Sequence, residues 1–141
     1  MSEKNTVFIK ALELAENLTE SVSPRPPVGS IITHNGKIVG KGVTTINPLR
    51  HAEVNALSKA KEKIQSFKES TLYCTLEPCF HKGNTEPCVD KIIESGIKNV
   101  IIGSVDPNPK VNKKSINKLK KNNINVELVS NSNLKKRSDK L

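Results

Sequence analysis

Four residues in this sequence have the types and spacing for metal-assisted hydrolysis: His51, Glu53, Cys79 and Cys88. His51-Ala52-Glu53 is followed downstream by two Pro-Cys pairs, Pro78-Cys79 and Pro87-Cys88. One imidazole and two thiolates leave the fourth position of a tetrahedral zinc ion for water, the pattern of a catalytic rather than a structural site. Zinc lowers the pKa of such a water to about 7, so hydroxide is available at neutral pH. Glu53 is not needed as a ligand and is free to move protons. The expected cofactor is Zn2+, held by His51, Cys79 and Cys88, with Glu53 as the acid/base.

Each part of this pattern is weak alone and strong in combination. His-x-Glu followed by a Pro-Cys pair is similar to the signature of the zinc deaminases of nucleobases, in which the Glu is acid/base rather than ligand. Read structurally, His51 would be a polar residue at a helix start and the cysteines small buried hydrophobes. That reading leaves three placements unexplained. Cys74 is different, lying in an apolar strand with Leu72 and Leu76, and is expected to be a core thiol. His81 as a fourth ligand would close the open position, so a substrate contact or a surface role suits it better. His34 flanks a turn and reads as solvated.

Elements must place these groups. Phe8, Ala11, Leu12, Ala15 and Leu18 recur at helical spacing and predict an amphipathic helix. Ser21 to Pro27 breaks it, because its prolines cannot continue a helix. Val28 to Thr33 and Lys37 to Val43 read as strands joined by an Asn35-Gly36 hairpin turn. A helix is predicted from His51 to about Gln65, with Ala56, Leu57, Ala60 and Ile64 on one stripe. Thr71 to Leu76 reads as a short strand, and Cys88 to Ser95 as a helix closed by Gly96. Val100 to Ile102 fits a strand buried on both faces. Asp106-Pro107-Asn108-Pro109 is a turn, Ser115 to Lys121 a basic helix, and Ile124, Val126 and Leu128 alternate as a final strand. The order αββαβαβαβ predicts an α/β fold with a five-stranded mixed sheet between helical layers. Sites in such sheets lie at the carboxyl ends of strands, where the loops 44–51, 76–88 and 104–115 are expected.

The 141 residues fit one domain, 1–129, followed by a polar basic tail, 130–141. A chain of this size buries roughly 68–70% of its unfolded surface and needs no disulfides to support a core. Residues 1–20 carry Glu3, Lys4, Lys10, Glu13 and Glu16, which excludes an apolar leader there. No apolar run approaches the roughly 18 residues of a membrane span. The cytoplasm is therefore the expected compartment, and three cysteines there read as reduced thiols. The net charge of +9 is concentrated after residue 109 and reads most simply as a solvated face. With 3% aromatic residues, stacking platforms for nucleic acid are scarce.

From about Phe8 to Leu128 the sequence resembles the deaminase half of the bifunctional riboflavin-biosynthesis deaminase/reductases. The resemblance rests on Pro27-Val28-Gly29, Asn35 to Gly40, His51 to Leu57 and Thr71 to Cys79. It continues through His81, Gly83, Thr85, Pro87-Cys88, Ile92-Ile93, Ser95 to Lys98 and Asp106 to Pro109. Eight residues, Phe80 to Pro87, separate Cys79 from Cys88, as in that family. The related tRNA adenosine and cytidylate deaminases usually have two. The resemblance implies a three-layer α/β/α cytidine-deaminase-like fold and deamination of a phosphorylated aminopyrimidine. It implies substrate contacts at His81, Asp106 and Asn108. It covers only the deaminase half, so the reduction is expected from a separate protein.

Departures fall on the substrate side: Arg25 for Asn, Thr44 for His, Phe80 for a small residue, Asn84 for a basic one, and Lys113 and Ser115 for glycines around Lys114. Arg25, bracketed by Pro24 and Pro26, is expected to bind the substrate's phosphate in place of the groups lost at Thr44 and Asn84, the alternative being a solvated loop arginine. Deamination of nucleosides or nucleic-acid bases, and a zinc-stabilised binding module without activity, are the alternatives. Glu53 speaks against the module and the cysteine spacing against nucleic acid. The sequence leaves homo-oligomer formation open.

Overall fold

A computed structural model gives the fold of the chain and describes residues 2–18, 26–46, 49–80, 87–109 and 112–141. The first helix, α1 (Glu3–Glu16), starts where Ser2 accepts a hydrogen bond from the Asn5 N–H, and it buries Val7, Phe8, Ala11, Leu12 and Ala15. Strands β1 (Gly29–His34) and β2 (Lys37–Val43) form a hairpin. Asn35 and Gly36 turn it with φ of +51° and +82°, the two left-handed residues that a tight hairpin demands. A second, two-residue hairpin, β3 (Thr45–Ile46) with β4 (Leu49–Arg50), leads into α2 (Ala52–Lys61). Then come β5 (Ser70–Leu76), α3 (Cys88–Ser95), β6 (Asn99–Ser104), α4 (Lys114–Lys121), β7 (Asn125–Leu128) and α5 (Ser132–Asp139).

The main sheet has the order β2-β1-β5-β6-β7. β1 is antiparallel to β2 and to β5, while β5, β6 and β7 run parallel. One apolar core lies between the sheet and α2, α3 and α4, and includes Ile32, Leu57, Leu72, Ile92, Ile102 and Leu119. A second lies on the opposite face under α1 and α5, around Phe8, Leu12, Ile31, Ile101 and Leu134. The expected five-stranded mixed sheet between helical layers is the observed architecture.

α2 sits unusually close to the sheet. A Cβ at Gly42 would run into the Ala52 carbonyl, and one at Gly40 into that of Ala56. Glycines on β2 and alanines on α2 thus let two backbones meet, which fixes the height of the helix above the sheet. The Asn55 side chain donates to the Val43 carbonyl at 2.8 Å and fixes the helix along the strand.

Four local readings differ. α2 ends at Lys61 rather than near Gln65, although Ile64 beyond it still packs against the core. The β3–β4 hairpin was not expected. Residues 130–141, read as a polar tail, contain α5, held by buried Leu134 and Ser138 and by the bidentate pair of Arg137 with Glu16. His34 is half-buried rather than solvated, with Nδ1 3.0 Å from Ser70 Oγ.

Candidate active site

His51 stands at the cap position of α2, its backbone extended at φ −80° and ψ 153°, and Glu53 lies in the first turn. Cys79 follows β5, and Cys88 is the first residue of α3. Two helix starts and a strand exit therefore meet at the carboxyl edge of the sheet. The ligand atoms of His51, Cys79 and Cys88 all lie within 4.8 Å of one another. Two sulfurs and one ring nitrogen at this spacing suit zinc, which takes thiolate at about 2.3 Å and imidazole at about 2.0 Å.

The electrostatics agree. The Cys88 backbone N–H donates to Cys79 Sγ at 3.0 Å. Hydrogen bonding from the Cys88 thiol, aided by His51, pulls the Cys79 thiol down to about 4, so it is a thiolate at neutral pH. The same hydrogen bond, with burial, pushes the Cys88 thiol up. Glu53 is only 3% exposed, and burial raises its carboxyl, opposed by a hydrogen bond from Cys88 and the nearby His51. Cys74, by contrast, lies in the core beside Ser30, and burial raises its thiol well above the usual range.

A further carboxylate organises the loops. Glu77 is buried between β5 and Cys79. Its Oε1 accepts the backbone N–H groups of Asp106 and Lys113, each at 3.0 Å, and its Oε2 accepts that of Ser115 at 3.1 Å. Its own N–H donates to the Ser104 carbonyl at 2.8 Å. Ser115 Oγ completes the tie by donating to the Pro78 carbonyl at 2.6 Å. Asp106 and Asn108 lie in the loop so fastened: Asp106 Oδ1 accepts the Asn108 N–H at 2.9 Å, and the Asp106 carbonyl accepts from the Asn112 side chain. Arg25, His81 and Asn84 lie outside the described residues.

The sequence matches the family described as the cytidine and deoxycytidylate deaminase zinc-binding region over residues 1–104. It is 50% identical over 119 residues to a diaminohydroxyphosphoribosylamino-pyrimidine deaminase of Buchnera aphidicola subsp. Schizaphis graminum, covering 84% of this chain and 79% of that one. This chain belongs to the cytidine and deoxycytidylate deaminase family. Within the family it matches the deaminase domain of the riboflavin biosynthesis protein RibD. It is 46% identical over 118 residues to RibD of Aquifex aeolicus, spanning 84% of this chain but 32% of that protein. A solved Thermotoga maritima deaminase/5-amino-6-(5-phosphoribosylamino)uracil reductase superposes with a TM-score of 0.86 at 39% identity, covering 96% of this chain and 39% of that one.

The expectation of a zinc-dependent deaminase with a cytidine-deaminase-like fold is met. Among the described residues of the deaminase, no helix is long and apolar enough to cross a membrane. Thr44, which replaces the family's His, is buried, and its Oγ1 accepts the Val28 N–H at 3.1 Å. Phe80 lies under the ammonium groups of Lys114 and Lys118, 5.9 and 5.6 Å from its ring centre. Glu77 stood in the quoted motif without a role. Its only sequence signal was a carboxylate beside a metal-ligand candidate.

Proposed function

We propose that this deaminase releases ammonia from a phosphorylated ribosylamino-aminopyrimidine, a hydrolytic step of riboflavin biosynthesis. The observation that carries the reading is a buried Glu53 in the first turn of α2, beside three donor atoms within 4.8 Å of one another. His51, Cys79 and Cys88 hold the zinc. Bound zinc supplies a water acidified to a pKa of about 7. Glu53 takes a proton from the attacking water and passes it to the ring nitrogen beside the amine-bearing carbon. The water oxygen forms the new C–O bond; Glu53 then takes the remaining proton of that hydroxyl and gives it to the amine, so the C–N bond breaks, ammonia leaves and the carbon keeps a carbonyl.

Asp106 and Asn108 contact the substrate with His81, and Arg25 binds its phosphate. A free small molecule rather than nucleic acid is favoured by the eight residues between Cys79 and Cys88 and by the 3% aromatic content. A reductase activity then consumes the product, and three cysteines without a disulfide suit the cytoplasm.

The test is ammonia release, with product mass, from phosphorylated and dephosphorylated aminopyrimidine ribosides. Wild type should turn over the phosphorylated form. Glu53→Gln should keep its zinc and lose about 10²–10⁴-fold in kcat. Arg25→Ala should lose roughly 10–100-fold in kcat/KM on the phosphorylated form alone. Near wild-type turnover by Glu53→Gln would reject the proton shuttle, and equal losses on both forms would move the phosphate site elsewhere.

A further inference from the structure

Glu77 holds a position that neither the zinc chemistry nor the fold class requires. It lies two residues before Cys79 and is 6% exposed. Its two oxygens accept three backbone N–H groups, from Asp106, Lys113 and Ser115. These donors come from both ends of the loop joining β6 to α4. Lys113, the cap residue of α4, makes no side-chain cap of its own and has φ +64°, and the N–H groups of Lys113 and Ser115 at this helix start are satisfied by Glu77 instead. A carboxylate suits this because it only accepts, and hydrogen bonds to an ionised acceptor are stronger than neutral ones.

The loop so tied holds Asp106 and Asn108, and the strand exit so tied holds Cys79. We propose that Glu77 is the positioning residue that sets the substrate loop at its working distance from the metal loop, so that substrate affinity depends on a side chain that touches neither metal nor substrate. The proposal rests on the deaminase reading for its kinetic consequence and on geometry for the latch itself. Both ends of that loop are held by one carboxylate, so a shift in it moves the two substrate contacts together relative to the ring to be attacked. Misplacements of about 1 Å cost up to about 10²-fold in enzymes.

Glu77→Gln keeps the shape but turns an amide N–H toward a backbone N–H, so at least one of the three hydrogen bonds is lost. Zinc-loaded Glu77→Gln should show KM raised about tenfold, with kcat within about threefold of wild type and unchanged zinc stoichiometry. Amide exchange should speed up at Asp106, Lys113 and Ser115. In an Asp106→Ala background the same substitution should raise KM further by less, because one of the two contacts it positions is already gone. Wild-type KM in folded Glu77→Gln, loss of zinc, or an undiminished effect in the Asp106→Ala background would each overturn the proposal. Amide exchange keeps it open to refutation if Glu77→Gln proves catalytically silent because the substrate class is wrong. A wild type inactive on aminopyrimidines fails the functional reading, whereas unchanged exchange at the three amides fails the latch.

Discussion

α2 and α4 both begin at the carboxyl edge of the sheet, yet different forces hold them there. α2 is seated by shape: Gly40 and Gly42 of β2 admit the backbone of Ala52 and Ala56, and nothing larger fits. α4 buries Ile116 and Leu119, but its starting end is tied by polar contacts, the Lys113 and Ser115 N–H groups on the Glu77 carboxylate that also accepts the Asp106 N–H. The shape-seated helix delivers His51 and Glu53, the groups that in the proposed mechanism keep a fixed distance to a reacting atom. The polar tie fastens the loop with Asp106 and Asn108, the residues proposed to meet a substrate that arrives and leaves. Close packing resists displacement in every direction, whereas a hydrogen-bonded latch fixes position with fewer atoms.

The largest expected effect is on the metal, whose proposed ligands link α2 to Cys79, two residues beyond Glu77. Cys88→Ala and Cys79→Ala should each lose most bound zinc by metal analysis, because a thiolate ligand is removed in each. Cys74→Ala should keep it, since Cys74 is a buried core residue outside the donor set. In the metal-stripped protein, Cys79 should alkylate first and Cys74 last at neutral pH, as the thiolate at Cys79 is favoured and that at Cys74 is suppressed by burial. Full zinc in either ligand variant would dissolve the junction on which the comparison rests.

Next in size is the shape-seated side. Gly42→Ala puts a methyl group against the backbone of Ala52 and Ala56, where no side chain can rotate away. Overpacking of this kind costs about 1–3 kcal/mol, and contact with backbone places it near the upper end. A fall in Tm of roughly 10 °C is expected, with kcat reduced because His51 and Glu53 move with the helix. An unchanged Tm would mean that α2 is not held by close approach.

The contrast between the two regions also explains what could be read from the sequence. The hairpin, α1, α2 and the three candidate ligands are local patterns: a period of two or 3.6, an Asn-Gly turn, a cysteine beside proline. Glu77 has no such signature, because its partners lie 29 to 38 residues away and are backbone groups. α5 was missed because Ser132 to Asp139 has only Leu134 as an apolar residue, too few for a stripe. It is placed instead by tertiary contacts, Arg137 on Glu16 and the Ser138 hydroxyl on the Thr75 carbonyl. β3 and β4 are two residues each, below any period. Leu128, one of the alternating apolar residues of the last strand, is 42% exposed on the edge strand β7.

The smallest expected effect concerns Lys113, on the polar side. Among the described residues three non-glycines have positive φ, and two of them, Asn35 and Asn123, are of the type that tolerates it. Lys113 at φ +64° is the third, and its side chain is exposed. A left-handed non-glycine residue costs roughly 1–2 kcal/mol, while glycine adds about 0.5–1 kcal/mol of unfolded-state entropy to be lost. Lys113→Gly should therefore stabilise the protein by up to about 1 kcal/mol, a rise in Tm of a few degrees. The hydrogen bond to Glu77 survives, because it uses the backbone N–H. If Glu77 is what holds Lys113 in this conformation, the gain should change when Lys113→Gly is made in a Glu77→Gln background, since the two sites share one hydrogen bond. Strictly additive Tm shifts, or a loss of stability in the single variant, would show that the left-handed turn is set by its own loop and not by the latch.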